Sequence, residues 1–97
     1  MTYRNPKLLR LAAEAPHCMS CFKTNDGSIV ACHSNQIKDG KGTGHKAADY
    51  RIFYGCNTCH DIYDRSKMKR YDKEIMFEVA HRNTIGWLFE SGRIKIC

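Results

Sequence analysis

Apolar residues cluster at a few places along the chain. After Asn5-Pro6, the residues Leu8, Leu9, Leu11 and Ala12 form the stripe of a short helix. Asn5 is suited to its N-cap and Pro6 to its first position, and Pro16 ends the segment. Ile29-Val30-Ala31-Cys32 is a mostly apolar run that reads as a strand ending at His33. With the Asp26-Gly27 turn before it, this strand predicts a hairpin around the cysteines at 18 and 21. Arg51-Ile52-Phe53-Tyr54 reads as a second short strand or as the end of a helical turn before Gly55. A helix is predicted from near Asn57. A longer last helix is predicted from Asp72 as N-cap, with Ile75, Met76, Val79 and Ala80 at i, i+3, i+4 spacing. That face continues through Asn83 to Trp87, and Gly92 stops the helix. The closing Arg93-Ile94-Lys95-Ile96 reads as an edge strand. Residues 34–49, SNQIKDGKGTGHKAAD, have no period and predict a loop whose length marks it as functional.

A chain of 97 residues has room for one domain, spanning 1–97, with a core that is marginal by itself. Domains of this size recruit a metal or disulfides, and six cysteines offer either route. The N-terminal MTYRNPKLLRLAAEA lacks the apolar stretch of a secretion signal, and no run is long enough to span a bilayer. The expectation is therefore a cytoplasmic protein without a membrane partner. In a reducing compartment, paired Cys-x-x-Cys points to metal ligands rather than disulfides.

Cys18-x-x-Cys21 and Cys56-x-x-Cys59 are two matched knuckles. Two thiolates from each can surround one cation, and an all-sulfur tetrahedral set suits structural Zn²⁺. The ion would join two distant segments and supply folding free energy. Cys32, in the apolar strand, reads as a small core residue, and Cys97 as incidental.

A structural ion does not account for the residues beyond each knuckle. The strand after the first ends in ACHSN, placing His33 and Asn35 at its end, and the second runs straight into CNTCHDIYD. On a helix, His60 and Asp64 share a face at i, i+4. A hairpin ending in histidine, then a helix carrying another, is the pattern of a ββα-metal site. In CHSN, GKGTGHKAAD and CNTCHDIYD, taken in that order, the sequence resembles the HNH endonuclease superfamily in its four-cysteine, zinc-stabilised form, and within it the small lambdoid-phage proteins.

The resemblance implies an α+β fold: a zinc-stabilised ββα-metal core with flanking N- and C-terminal helices. It implies a DNA endonuclease of prophage origin, with His33 as general base and His60 as ligand of a divalent ion at the scissile phosphate. Asp64 would be a further ligand of that ion, and Asn35 the residue that orients the base. Where many members carry Asp or His directly before the base, this chain has Cys32. The loop residues His45 and Asp49 are then the further ligand candidates. The chemistry agrees: imidazole titrates near neutrality and can accept a proton from water. An oxygen and nitrogen ligand set suits Mg²⁺ or Mn²⁺.

Sixteen Lys and Arg against ten Asp and Glu leave a formal charge of +6, which favours a polyanionic partner, nucleic acid first. Lys38, Lys41 and Lys46 lie on the glycine-rich loop, and Arg65, Lys67, Lys69 and Arg70 come after the helix bearing His60. These are the candidate DNA contacts. No base-reading motif is visible, so binding should be salt-sensitive with little sequence specificity. Two readings from other classes stay open: a non-catalytic four-cysteine zinc-ribbon-type nucleic-acid-binding module, and a protein-interaction adaptor using the apolar C-terminal helix.

Overall fold

The computed structural model describes residues 3–42 and 44–96; Cys97 lies outside them. Helix α1 (Pro6–Arg10) starts where the sequence places it. Asn5 is extended, its Oδ1 accepts from Leu8 N at 3.1 Å, and Pro6 begins the first turn. The helix then tightens into a 3-10 turn over Leu11–Glu14. Strand β1 (Val30–His33) pairs antiparallel with β2 (Ile52–Gly55), with His33 opposite Ile52 and Val30 opposite Gly55. Of the two readings of the segment before Gly55, the strand is the one adopted. Helix α2 (Asn57–Arg65) comes after β2 with only Cys56 between them, and α3 (Arg70–Glu90) is the longest element. The fold is α+β: a two-stranded sheet and three helices. No helix among the described residues is long and apolar enough to cross a membrane.

Every residue of β2 is buried, and its alternation sends side chains into two clusters. Ile52 and Tyr54 join Ala12, Ala15, Met19 and Leu88, with Cys18, Cys56 and Cys59 alongside. On the other face Phe53 and Cys32 meet Tyr63, Phe77 and Ala80. Phe53 presents its edge to Tyr63 and Phe77, with ring centroids 5.6 and 5.9 Å away. A two-stranded sheet leaves β2 one outer edge, and its polar groups need partners. Met19 N donates to Tyr54 O, Thr84 Oγ1 accepts from Tyr54 N at 3.0 Å, and His81 Nδ1 donates to Ile52 O at 2.7 Å.

Four expectations change. The segment around the first cysteine pair closes on itself through an isolated bridge between His17 and Thr24, and β1 finds its partner in β2, not in that segment. Helix α3 begins after Lys69, not Asp72; Asp72 lies in the first turn, where its charge complements the exposed N–H groups. Of the expected face of α3, Ala80 is buried and Met76 and Trp87 pack on the core. The fully buried positions, however, are Phe77, Ala80, Thr84 and Leu88, while Ile75 and Val79 remain about half exposed, at 47% and 50%. Residues 93–96 form no strand. Gly92 takes a left-handed φ of 78°, and Gly92 N and Arg93 N donate to Phe89 O and Leu88 O. That cap turns the tail back so that Ile94 packs on the first cluster, with no free strand edge to join.

Candidate metal centre and adjoining basic cleft

The first knuckle is shaped by its flanks. Asn25 Nδ2 donates to Ala13 O and Ala15 O, and Cys18 N donates to Lys23 O at 2.8 Å. The chain reverses through Phe22, whose φ of 64° is left-handed and whose N donates to Cys18 O at 3.0 Å. Such a backbone is costly for a residue with a side chain and persists because the surrounding bonds hold it. The tight turn points Ser20 N and Cys21 N at Cys18 Sγ, each at 3.4 Å. The second knuckle is the β2–α2 junction: Cys56 is the N-cap residue of α2, and Cys59 lies in its first turn.

The four sulfurs of Cys18, Cys21, Cys56 and Cys59 all lie within 4.8 Å of one another, and Cys21 Sγ and Cys56 Sγ are 3.9 Å apart. A tetrahedron with metal–sulfur bonds of ~2.3 Å has edges of ~3.8 Å, so these residues fit a single tetrahedral ion. Burial raises the Cys18 thiol, but N–H groups of Cys21, Cys56 and Ser20 outweigh it and bring it down to about 7. Burial pushes Cys59 the other way, and its hydrogen bonds with the other three thiols add to the rise. Crowded thiols of this kind cannot all ionise together without a cation among them.

Beside this centre lies a cleft of about 750 Å³ between α1, β1 and α2. His33 enters it from the end of β1, and His60 and Asp64 from successive turns of α2. Asn35, Lys41 and Lys46 line it from the loop, and Arg10 from α1. His60 Nε2 and Asp64 Oδ2 are 2.9 Å apart, with both side chains about two-fifths exposed. His33 Nε2 is 2.7 Å from Oδ1 of Asp49, which is buried. Burial opposes the charge on Asp49, but His33, Asn5 N and Arg4 win and hold its carboxyl below the usual carboxylate range.

The cleft thus gathers His33, Asn35, His60, Asp64, Lys41 and Lys46 of the residues singled out from the sequence. The side chain hydrogen-bonded to His33 is Asp49, not Asn35. Asn35 is engaged by Tyr63, whose hydroxyl donates to its Oδ1 and accepts from its N, both at 2.9 Å. Asp49 is occupied by His33 and Arg4, and His45 lines a smaller pocket on the other side of His33. Lys38 borders a separate pocket against α3. Arg65, Lys67, Lys69 and Arg70 are exposed and lie outside the cleft lining; Arg65 pairs with Asp61 and Arg70 with Glu74. Among the described residues, the cysteine cluster is the one group of three or more metal-ligating side chains close enough to share an ion.

Cys32 faces the second core cluster, fully buried, and burial raises its thiol. The sequence reading missed Arg10 and Arg4. Arg10 had a signal, as the basic residue at the end of a helix whose opposite side is apolar; Arg4 acts across 45 residues of chain and had none. Compared with known proteins, the chain matches no family model, no curated protein and no solved structure.

Proposed function

We propose that this chain is a metal-dependent, HNH-like DNA endonuclease of prophage type, with β1, β2 and α2 as its ββα unit and Zn²⁺ as the ion of the cysteine centre. The observation that carries the reading is the meeting of His33 with the His60–Asp64 pair in one cleft edged by Arg10, Lys41 and Lys46. All-thiolate donors at that spacing favour Zn²⁺ over harder ions. His60 and Asp64 are the residues that would hold Mg²⁺ or Mn²⁺, which would supply positive charge to offset the negative charge that develops on the leaving oxygen. His33 takes the proton of a water whose oxygen attacks phosphorus, and one P–O ester bond breaks. Lys41, Lys46 and Arg10 hold the flanking phosphates as point charges, giving tight binding at low salt and little sequence preference.

The second reading, a four-cysteine nucleic-acid-binding module without cleavage, is favoured by a specific feature. His60 and Asp64 bond to each other, and no third ligand stands close to them among the described residues. Supercoiled-plasmid nicking with Mg²⁺ or Mn²⁺, run beside gel-shift binding, separates the two. The nuclease reading expects metal-dependent nicking that falls by about 10²-fold or more in His33→Ala and is lost in His60→Ala, with DNA still bound. Binding without nicking under either metal replaces it with the module, and neither binding nor nicking leaves the protein-interaction adaptor.

A further inference from the structure

Among the described residues, Asp49 is the one charged side chain that is fully buried. A carboxylate out of water must be met by donors. Arg4 Nη1 reaches Asp49 Oδ1 at 3.0 Å, Asn5 N reaches Oδ2 at 2.6 Å, and His33 Nε2 lies 2.7 Å from Oδ1. Arg4 also donates to Ala47 O and Lys46 O, and Asp49 N donates to Tyr3 O. The N-terminal residues thereby fasten the loop that carries Asp49 before the chain enters α1.

An ionised carboxylate only accepts hydrogen bonds, so the imidazole nitrogen facing it must carry the proton. We propose that Asp49 is a positioning residue for His33: it fixes the proton of the neutral ring on Nε2, leaving Nδ1 to take a proton from water, while Arg4 and Asn5 hold Asp49 in place. The catalytic consequence rests on the proposed function; the hold on the ring does not. The other charged or titratable groups around His33 are Arg4, His45 and Lys46 on one side, and Arg10, Lys41, Lys46, His60 and Asp64 on the other. Of these only Asp64 is acidic, and it is engaged with His60. No second carboxylate therefore stands ready to take over from Asp49. A purely structural Asp49 would anchor the N-terminus without selecting a tautomer.

The test uses the full, metal-loaded chain labelled with ¹⁵N. Ring-nitrogen shifts are read at alkaline pH, where the imidazole is neutral, in wild type and in the isosteric Asp49→Asn. The expected wild-type result is a single tautomer with the proton on Nε2, seen as a slowly exchanging, downfield ring N–H. In Asp49→Asn that proton should exchange rapidly and the ring should lose its fixed tautomer. Nicking should show kcat reduced by about 10²–10⁴-fold with KM within a few-fold, the pattern of a misdirected general base. A wild-type ring protonated on Nδ1, or averaging between tautomers, overturns the proposal even if Asp49→Asn does not fold. An Asp49→Asn protein that keeps the wild-type ring signals overturns it as well. A fixed Nε2–H ring in a protein that never nicks DNA overturns the proposed function and leaves the hold of Asp49 on His33 standing.

Discussion

Gly55 sits where β2 passes into the second cysteine pair. A Cβ built there would lie 2.5 Å from Phe53 Cε2 and 3.4 Å from Cys32 Sγ. The Phe53 ring cannot swing aside, because it is fully buried and held edge-on by Tyr63 and Phe77. Gly55→Ala should therefore lower stability by about 1–3 kcal/mol, as overpacked cores do. Urea denaturation of the metal-loaded protein checks this, and a cost near zero would show that the ring yields. Cys32, in the same cluster, has its thiol raised by burial, so at neutral pH it is protonated and shielded. Alkylation of the folded, metal-loaded protein followed by mass spectrometry should leave Cys32 unmodified, whereas denaturation should expose it. Rapid labelling of Cys32 in the folded state would contradict its place in the core.

Between elements, the decisive contact is α3 against the outer edge of β2. Thr84 is buried, accepting from Tyr54 N and donating to Ala80 O at 2.8 Å. Thr84→Val keeps the shape but strands the Tyr54 amide, at a cost of about 1–3 kcal/mol. Hydrogen exchange should then speed up at Tyr54 more than at its neighbours. One turn earlier, burial lowers the His81 imidazole below its ordinary value, against the pull of its bond to Ile52 O. The folded chain then binds this proton less readily than the unfolded one. Its contribution is complete above the ordinary histidine value of ~6.5 and is lost as pH falls from there through the lowered folded value. Urea midpoints at pH 7.5 and 5.5 should thus drop less in His81→Phe than in wild type, although the variant is weaker at both. These residues also show why the inward face of α3 was only partly readable. Ala80 is buried and Met76 and Trp87 pack on the core, as the spacing expects. Thr84, however, is polar and buried to serve a strand edge, while Ile75 and Val79 are apolar and half exposed, so hydropathy alone marks only part of the stripe. The N-cap at Asn5, the α2 start and the glycine stop at Gly92 were legible because each is encoded within a few residues.

For the molecule as a whole, what the sequence could announce was spacing, and what it could not was distance across the fold. Paired cysteines name their own partners, so the four-cysteine cluster was readable. That Asp49 would turn to His33, and Arg4 to Asp49, depends on how loop 34–51 is laid down against the N-terminus. An ion held by the four cysteines would govern that layout. Its ligands come from the turn after α1 and from the β2–α2 junction, and Met19, inside the first knuckle, hydrogen-bonds β2 directly. Structural Zn²⁺ contributes about 10–16 kcal/mol in zinc-finger peptides, against a total stability of about 5–15 kcal/mol for a typical domain. Removing the ion should therefore leave no stable fold, and with it no cleft. A strong chelator combined with a thiol-modifying reagent should release about one ion per chain. Far-UV circular dichroism should collapse towards that of an unfolded chain, and the proposed DNA binding should disappear with it. Cys56→Ser should do the same, because it removes a buried ligand at the N-cap of the helix that carries His60 and Asp64. A stripped chain that keeps its circular dichroism and its hold on DNA would mean that the hydrophobic clusters suffice without the ion, and that the cysteine centre has some other task.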